Sequence, residues 1–549
     1  MRPLQSTRRR TLHLLAATLL CAITVATAQN PQPSSRAAYA MTGPYTISGI
    51  LINAASGEPI RRATVEALKI DDSRAVASCI TDSEGRFALD HLAAMKVQLA
   101  ASKRGFRTAS YDEHDGFSSA IVTGPDQDTT HLEFKLTPSA VLRGEVTSDD
   151  GEPVAGARVM LFKRPRFPAA GERITQVDAS VTDDTGAYEI AGLAAGEYLM
   201  AVAAEPWYAV HEGAAAKRNA TLDVAYPVTY FDSTTDERSA TPLILAGGAR
   251  QEVNVSLHAV PALHLTIAVP RKPDGSLARP ELQQTIFGTP TSSESAGFLD
   301  ALQSGSVEMS GIAPGHYELT QGDPPHIAEL DLASNQQLEA GLGTAANSIA
   351  GTVRMASGAP VPEEITISLE RMDGGSGQAL YAAQEHLGRF KLDAVPPGEW
   401  AVMATSGDKA VPVVAVSAGN SHSIGNIITL REHAPQFIVT LSDAETRIEG
   451  IAQKNGKGFS GAMIGLLPKN TALWKALTRR DQSNSDGSFA LPDVAPGEYT
   501  AVAIEDGWQL DWTSPQAMAR YLPGGINVSV REKTNALIRL ASPLPVQMR

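Results

Sequence analysis

Nucleophilic and phosphate-binding side chains are present in the chain, but their spacing does not match a catalytic motif. The nucleophile elbow of a serine hydrolase, Gly-x-Ser-x-Gly, does not occur in the 549 residues. The stretch Gly456-Lys457-Gly458 resembles part of a phosphate-binding loop, yet neither Ser nor Thr follows the lysine. Cys79 has no candidate His–Asn partners, so we interpret it as a small core residue. We therefore expect no catalytic residue and a chain that is not an enzyme.

Acidic residues in turns form a second group, because their carboxylates are able to bind metal ions. Asp82, the pair Asp183–Asp184, and Asp486 each stand shortly before a glycine, and their oxygens are suitable ligands for Ca²⁺. They lack the spacing of several ligands that a dedicated calcium loop requires. An Asp side chain also accepts hydrogen bonds from nearby backbone N–H groups of a turn. The pattern favours turn capping, and we expect neither a metal nor a cofactor.

Aromatic residues make up only 5% of the chain, and they cluster in two segments. Flat rings stack on apolar sugar faces and supply much of the affinity of protein interfaces. The candidate ligand-binding residues are therefore Trp207, Tyr208, Tyr230, Trp508, Trp512 and Tyr521. Trp207, Trp508 and Phe106 share one position relative to a recurring turn, a pattern that also fits an end-cap of a hydrophobic core.

A repeating unit sets the positions of these residues. An apolar-Gly-apolar strand followed by a glycine-containing turn recurs with Gly49, Gly144, Gly351 and Gly450, at spacings of 95, 207 and 99 residues. The doubled spacing predicts a hidden copy, in which Val307 replaces a recurring aromatic residue and the leading strand near 265–267 has lost its glycine. Five units of about 100 residues then fill the chain.

Two turn motifs follow the first strand of each unit. The first is a polar turn with Gly and an aromatic residue two positions later, as in Gly85-Arg86-Phe87. The second is Pro-Gly-x-Tyr or a variant such as Ala195-Gly196-Glu197-Tyr198, for which we predict a type II turn. Short alternating strands between turn signals predict seven- to eight-stranded Greek-key β-sandwiches. One short helix is predicted from Ser514-Pro515 to about Tyr521.

These motifs together resemble the carboxypeptidase regulatory-like domain, which has a transthyretin-like and immunoglobulin-like β-sandwich fold. The resemblance extends over nearly all of the chain after its first residues. It implies an all-β protein of five tandem Greek-key β-sandwich domains. In metallocarboxypeptidases this domain accompanies a catalytic zinc domain and is not itself catalytic. Elsewhere it occurs in secreted and outer-membrane proteins.

The resemblance raises the question of zinc peptidase chemistry, whose ligand motif is His-x-x-Glu with a distant second histidine. The sequence holds one match, His326 and Glu329, with His433 farther along the chain. The match lies within a β unit of about 85 residues, which leaves no room for a large catalytic domain. We interpret His326 as a surface-loop histidine rather than a metal ligand.

The first residues predict export. Arg8, Arg9 and Arg10 precede an apolar run over 12–26, and Ala26-Thr27-Ala28 matches a signal-peptide cleavage pattern. Removal of residues 1–28 leaves 42 basic and 60 acidic residues, a net charge of −18, which argues against nucleic acid as a partner. No later apolar run is long enough to predict a membrane span. Cys79 is then the only cysteine, so we expect no disulfide within the chain.

The predicted organisation follows from these patterns: signal peptide 1–28, linker 29–43, and sandwiches 44–138, 139–260 with an aromatic insertion, 261–345 in degenerate form, 346–443, and 444–549 with a second aromatic insertion. We predict a secreted, non-enzymatic binding or spacer protein of the cell envelope, periplasmic or extracellular, with outer-membrane association as one option. Its expected partner is an envelope polysaccharide or protein. Two alternatives remain open: an accessory subunit of a peptidase or other hydrolase, and a soluble partner of an outer-membrane transport system.

Overall fold

The computed structural model describes residues 43–164, 174–212, 219–269, 279–290, 298–302, 305–322, 325–372, 380–383, 388–407, 409–419, 421–431, 436–442, 446–531 and 537–549. The expected signal peptide and all but the last residue of the expected linker lie outside these ranges. The described residues form mostly β-strands, which fall into five successive groups. This confirms the all-β class of five tandem sandwiches.

The strands of the first domain are β1 (Tyr45–Asn53), β2 (Thr64–Lys69), β3 (Ala75–Ile80), β4 (Arg86–Leu92), β5 (Met95–Ser102), β6 (Ala109–Ser110), β7 (Ile121–Thr123) and β8 (Leu132–Leu136). Those of the second are β9 (Ala140–Ser148), β10 (Arg158–Lys163), β11 (Thr175–Val181), β12 (Ala187–Leu193), β13 (Gly196–Ala203), β14 (Val224–Ala225), β15 (Thr229–Tyr230), β16 (Leu243–Leu245), β17 (Arg250–Glu252), β18 (Val255–Leu257) and β19 (Val260–Pro261). Those of the third are β20 (Leu263–Ala268), β21 (Glu281–Ile286), β22 (Thr289–Pro290), β23 (Phe298–Leu302), β24 (Ser306–Ile312), β25 (Gly315–Gln321), β26 (His326–Leu332), β27 (Gln336–Leu338) and β28 (Thr344–Ala345).

The strands of the fourth domain are β29 (Asn347–Met355), β30 (Ile365–Arg371), β31 (Leu380–Ala383), β32 (Arg389–Val395), β33 (Gly398–Ser406), β34 (Lys409–Ala410), β35 (Val413–Ala418), β36 (Ser423–Ile424), β37 (Ile427–Leu430) and β38 (Phe437–Leu441). Those of the fifth are β39 (Arg447–Lys454), β40 (Lys457–Gly458), β41 (Met463–Pro468), β42 (Arg479–Gln482), β43 (Ser488–Leu491), β44 (Gly497–Glu505), β45 (Ile526–Val530), β46 (Leu537–Arg539) and β47 (Leu544–Met548). The helices are α1 (Trp474–Leu477), α2 (Pro515–Met518) and the 3₁₀ turns Glu237–Ser239, Thr471–Leu473, Gly507–Gln509 and Leu522–Gly524. The predicted helix corresponds to α2, which is shorter than expected and is capped by the Ser514 side chain.

All five domains share one pairing scheme. The first strand of each pairs antiparallel with one strand and parallel with a strand from the end of the same domain: β1 with β4 and β8, β9 with β12 and β17–β18, β20 with β24 and β27, β29 with β32 and β38, and β39 with β43 and β46–β47. The second sheet is centred on the strand that follows the second turn, namely β5, β13, β25, β33 or β44. Each domain has its own buried apolar core between the two sheets.

A cross-strand pair joins the first-strand glycine to the aromatic residue of the first turn. The pairs are Gly49–Phe87, Gly144–Tyr188, Gly351–Phe390 and Gly450–Phe489. In the fourth domain a Cβ added to Gly351 would lie 2.1 Å from the Phe390 ring, and in the fifth the corresponding distance at Gly450 is 2.5 Å. Real Cβ contacts are never this short, so the ring occupies the space that the glycine leaves empty.

The third domain has replaced both members of this pair. Ile267 stands opposite Val307 in the register, at the positions of the glycine and the aromatic residue. Both side chains are buried. A larger side chain on the first strand therefore accompanies a smaller one on its neighbour, which is the volume-conserving exchange that a close-packed core tolerates best.

The first turn is held by its acidic residue. Asp82 accepts hydrogen bonds from the backbone N–H groups of Glu84 (3.0 Å) and Arg86 (2.8 Å), and Asp183 does the same for Thr185 and Ala187. The hydrogen bond from Arg86 is the main cause that lowers the pKa of the Asp82 carboxyl. The turn glycines Gly85, Gly186, Gly305, Gly388 and Gly487 all have φ between 73° and 81°, which only glycine adopts easily. The turn-capping prediction is confirmed.

The type II turn predicted at the second motif is wrong. Gly196, Gly315, Gly398 and Gly497 open strands β13, β25, β33 and β44, and none has the φ of about +80° that such a turn needs. The preceding strand belongs to the other sheet in each of these domains except the fifth, where β47 merges the sheets. The chain therefore passes between layers here instead of folding back as a hairpin.

The aromatic residue of the second motif fixes this crossing. The hydroxyls of Tyr198, Tyr317 and Tyr499 donate to the carbonyl four residues earlier at 2.8–2.9 Å, and the Trp400 indole N–H does so at 3.1 Å. This resembles the tyrosine corner of other β-sandwiches. In the first domain Val97 stands at this position, and the carbonyl of Ala93 instead accepts a hydrogen bond from the Thr123 hydroxyl (2.6 Å).

We expect Gly351→Ile to lower the stability of the fourth domain by about 1–3 kcal/mol, because the new side chain collides with the Phe390 ring. Adding Phe390→Val should recover part of this loss, since the pair then matches Ile267–Val307. Hydrogen exchange of β29 and β32 in a double-mutant cycle measures the coupling. Strictly additive effects would contradict the packing argument.

Burial raises the pKa of the Tyr499 hydroxyl from 10.0 to about 12. The unfolded chain then releases this proton at lower pH than the native protein does, so the stability that depends on it is complete below about pH 10 and is lost as the pH rises toward 12. Tyr499→Phe should cost about 1 kcal/mol at pH 8, through loss of the bond to Ala495, and flatten this alkaline decline. Thermal midpoints from pH 8 to 11.5 test this. The exposed Tyr208→Phe is the control and should change neither quantity.

Candidate functional site

The structure separates the six candidate ligand-binding residues into two groups. Trp207 is 87% exposed and Tyr208 is 36% exposed. The other four, Tyr230, Trp508, Trp512 and Tyr521, are buried. Those four rings therefore do not present a face to solvent on which a sugar could stack, because other parts of the same chain already cover them.

The fifth-domain insertion covers the outer face of its own sheet. On β44, Ala501 and Ala503 face the sandwich core, whereas Val502 and Ile504 point outward. The outward side chains pack in a second apolar cluster, which we call the fifth-domain aromatic cluster; it contains Met463, Leu467, Trp474, Val502, Ile504, Trp508, Trp512, Met518 and Tyr521. Both faces of this sheet are thus buried.

The first domain packs on this cluster, where it contacts Arg480 and Trp508 of the fifth domain. The Arg480 guanidinium lies 4.3 Å from the Trp512 ring centroid, within cation–π distance, and forms an ion pair of 3.3 Å with Asp115. The Trp508 ring stacks on His114 at 5.4 Å and on Phe117 at 5.6 Å. Asp115, His114 and Phe117 all belong to the first domain, so aromatic packing joins the first and fifth domains directly.

Hydrogen bonds extend the same contact along residues 112–122, which we call the docking segment. The amide of Gln482 donates to the Ser119 hydroxyl (2.8 Å), and that hydroxyl donates to the Ser483 carbonyl (2.9 Å). The Ser485 N–H donates to the Ala120 carbonyl (2.9 Å), and the Val122 N–H donates to the Ser485 hydroxyl (2.8 Å). Polar groups buried here are therefore paired across the contact. The chain closes on itself through its two terminal sandwiches.

The second-domain insertion plays the same part toward the third domain. Tyr230 packs on Phe287 with the ring centroids 5.0 Å apart, in a cluster on the outer face of β10 and β13. Glu237 accepts hydrogen bonds from the Tyr230 hydroxyl (3.1 Å) and the Phe287 N–H (2.6 Å). Burial raises the pKa of the Tyr230 hydroxyl, which stays protonated as the donor. This insertion therefore also joins two domains.

A buried network of histidine and carboxylate side chains crosses the same pair of domains. Asp223 contacts the Nδ1 atom of His211 (3.0 Å) and the Nε2 atom of His264 (2.7 Å), and the Nδ1 atom of His264 lies 3.3 Å from Glu308. Burial alone would raise the pKa of the Asp223 carboxyl. The hydrogen bonds and charge interactions with His211 and His264 together outweigh burial, so this pKa lies below its ordinary value. Sequence analysis missed this network, since four residues spread over 98 positions form no motif.

The zinc-like motif does not form a common site. His326 begins strand β26 instead of lying in a surface loop, which corrects the sequence interpretation. Residues three apart on a strand point to opposite faces, so His326 and Glu329 cannot bind one ion. His433 lies outside the described residues. Within the described ranges, no group of three or more His, Cys, Asp and Glu side chains is arranged to hold a metal ion.

Cys79 is partly buried against the first core, as its interpretation as a small core residue predicts. Burial raises the pKa of its thiol, which disfavours the reactive thiolate. Gly456-Lys457-Gly458 lies at the hairpin between β39 and β40, where Asn455 and Gly456 both have positive φ. Cys79 therefore has a packing role, and Gly456-Lys457-Gly458 forms a hairpin turn. No helix in the described part of the chain has both the length and the apolar character needed to cross a membrane.

Comparison with known families identifies the repeated unit. Residues 46–137 and 141–227 each match the carboxypeptidase regulatory-like domain. The chain thus contains two tandem domains of this family, which confirms the resemblance seen in the motifs of its first two units. No curated protein shows significant similarity to the chain.

Similar solved structures include the Bacillus anthracis TIE protein, at 9% identity and a TM-score of 0.15, over 88% of this chain and 68% of that one. Another is GBS52, the minor pilin of Streptococcus agalactiae, at 14% identity and a TM-score of 0.20, over 42% of this chain and 99% of that one. A third is the shaft pilin SpaA of Lactobacillus rhamnosus GG, at 9% identity and a TM-score of 0.20, over 40% and 98%. Likenesses this remote carry no inference about partners or activity.

We expect Trp508→Ala to loosen the docking of the first domain, because it removes the ring that stacks on His114 and Phe117. Truncating a buried Trp costs about 3–5 kcal/mol. Hydrogen exchange of the docking segment should rise, while exchange of β29 and β32 in the fourth domain stays unchanged. The matched control is Trp207→Ala, which removes an exposed indole. Equal protection of the docking segment in both variants would contradict this assignment.

Proposed function

We propose that this protein is an exported, non-enzymatic scaffold of the cell envelope that binds an envelope polysaccharide or protein through Trp207 and Tyr208. The observation that carries this proposal is the contrast between the aromatic groups. The buried rings are used in contacts between domains, whereas Trp207 presents 87% of its surface to solvent. A large ring held at the surface of an aromatic-poor protein is suited to recognition.

The geometry of the pair supports this role. The two rings are nearly perpendicular, at 85°, with their centroids 5.8 Å apart. They lie four and five residues after the end of β13, a strand whose residues 198–202 are buried on both faces. The exposed Val210 continues the apolar surface. A rigid strand therefore anchors a short segment with two aromatic faces.

The contacts between domains support a scaffold. Aromatic packing joins the first domain to the fifth and the second to the third, and Ile427 of the fourth packs with Ala476 and Leu477 of the fifth. A chain closed in this way holds surface groups in fixed positions, whereas a string of independent sandwiches would only separate its ends. The structure thus favours a scaffold over an extended spacer.

The side chains considered for catalysis support the non-enzymatic assignment. Asp82 and Asp183 cap turns, burial raises the pKa of Cys79, and His326 and Glu329 face opposite ways. Each is accounted for by the fold.

A glycan array and a pull-down from envelope extract test the recognition role. We expect saturable binding that falls at least about tenfold in Trp207→Ala and in Tyr208→Ala, as for truncation of an interface hot spot. Ile244→Ala removes another strongly exposed apolar side chain of the same domain and is the matched control. Absence of any saturable partner, or equal binding by all variants, would overturn the proposal and leave a scaffold without this recognition site.

A further inference from the structure

A second surface site lies where the first and fifth domains meet, and it shares no residue with Trp207 and Tyr208. It is a cavity of about 390 Å³ along the start of β39, within the range typical of small-ligand sites. Its charged lining consists of Lys96 from the first domain and Arg447, Glu449 and Arg539 from the fifth. The cavity is thus built from two domains that the docking segment holds together.

The charge of this cavity is opposite to that of the protein. Three cations and one carboxylate line it, in a chain whose formal net charge is −14. Asp481, which does not line the cavity, also attracts Lys96 and Arg447. The three cations thus outnumber the two carboxylates near them, which makes a local positive site. A concave site of one sign concentrates ligands of the other sign.

Glu449 holds two of the cations in place. One of its oxygens pairs with the Nε atom of Arg447 (3.1 Å) and the other with the Nε atom of Arg539 (3.7 Å). One carboxylate therefore positions both guanidinium groups at the cavity. The planar fork of an arginine is suited to binding a carboxylate in bidentate fashion.

The third cation departs from the repeat. The residue before the aromatic position of the second turn is Glu197, Glu399 or Glu498 in three copies and His316 in another, whereas the first copy has Lys96. The Lys96 ammonium donates to the Ser488 hydroxyl of the fifth domain (2.8 Å). The altered turn of the first copy thus places a positive charge where three other copies carry a negative one.

The uncharged part of the wall contains Ser488 and Ser542 and is otherwise mostly apolar. Ile451 is 47% exposed, and Leu540 and Pro543 line the cavity beside it. A ligand that fits both parts of the wall has an anionic group and a compact body with an apolar face.

We propose that this cavity binds a carboxylate carried on a small ring, such as an acidic sugar. Lys96, Arg447 and Arg539 would contact the carboxylate, and Ile451, Leu540 and Pro543 would contact the apolar face of the ring. Such a ligand bridges the first and fifth domains, so its binding stabilises their contact by linkage. The carboxylate can belong to a free small molecule or to a residue of an acidic polysaccharide.

Calorimetric titration with galacturonate, digalacturonate, benzoate and neutral galactose tests the site. We expect saturable binding of the carboxylates, weakened by salt, and none of galactose. Arg447→Ala and Arg539→Ala should each weaken binding at least about tenfold. Arg143→Ala is the matched control, because Arg143 also lies on a first strand, is similarly exposed, and pairs with one glutamate. Tighter binding of digalacturonate than of galacturonate identifies a polysaccharide as the source, and equal binding identifies a free carboxylate.

Lys96→Glu introduces the residue found at this position in three of the other repeats and provides a second test. We expect it to abolish carboxylate binding. Digalacturonate should also slow hydrogen exchange of the docking segment in the wild-type protein but not in this variant. Absence of carboxylate binding, or affinities that the three cavity variants leave unchanged, would overturn the proposal. Either result leaves the role of Trp207 untouched, since Trp207→Ala tests that site separately.

Discussion

The close approach of a neighbouring group to the first-strand glycine is the constraint that four of the five sandwiches share. The first strand pairs with neighbours on both sides. A Cβ on Gly49 or Gly144 would collide with a backbone carbonyl of the neighbouring chain segment, and a Cβ on Gly351 or Gly450 would collide with an aromatic ring. With Gly351 and Phe390 the fit is so close that a single added carbon would overlap the ring. Ile267 and Val307 solve the same packing problem with different volumes. The recurrence of glycine in the sequence is thus a consequence of close packing around the first strand.

Two of the sandwiches bury their central sheet on both faces, and this property links the domains. A strand covered on one side alternates apolar and polar residues, as β5 does with Val97, Gln98 and Leu99. A strand covered on both sides is apolar at successive positions, as β13 and β41 are. The insertions of the second and fifth domains cover these outer faces. The buried aromatic residues of these insertions therefore pack against other parts of the same chain, whereas Trp207 and Tyr208 stay exposed.

Closure of the chain gives its acidic surface an uneven charge distribution. Docking places Lys96 beside Arg447 and Arg539, which lie about 350 and 440 positions away in the sequence. The contact also buries Arg480 between aromatic rings and Asp115. Repeats that have nearly the same fold thus acquire different surfaces through single substitutions at equivalent positions. The contrast between Lys96 and Glu498 is one example.

Local patterns in the sequence determined the sandwich class, the five repeats, the acid-capped turns and the short helix at Ser514, because turns and strand alternation depend on nearby residues. The doubled spacing even located the eroded third copy. Only the tertiary structure decided that the second motif is a crossing between sheets, that Trp508 and Trp512 are buried while Trp207 is exposed, and that Asp223 meets two histidines. These outcomes depend on which distant surface covers a residue. The apolar run of β44 is visible in the sequence. The packing of the docking segment on the fifth-domain aromatic cluster is visible only in the structure.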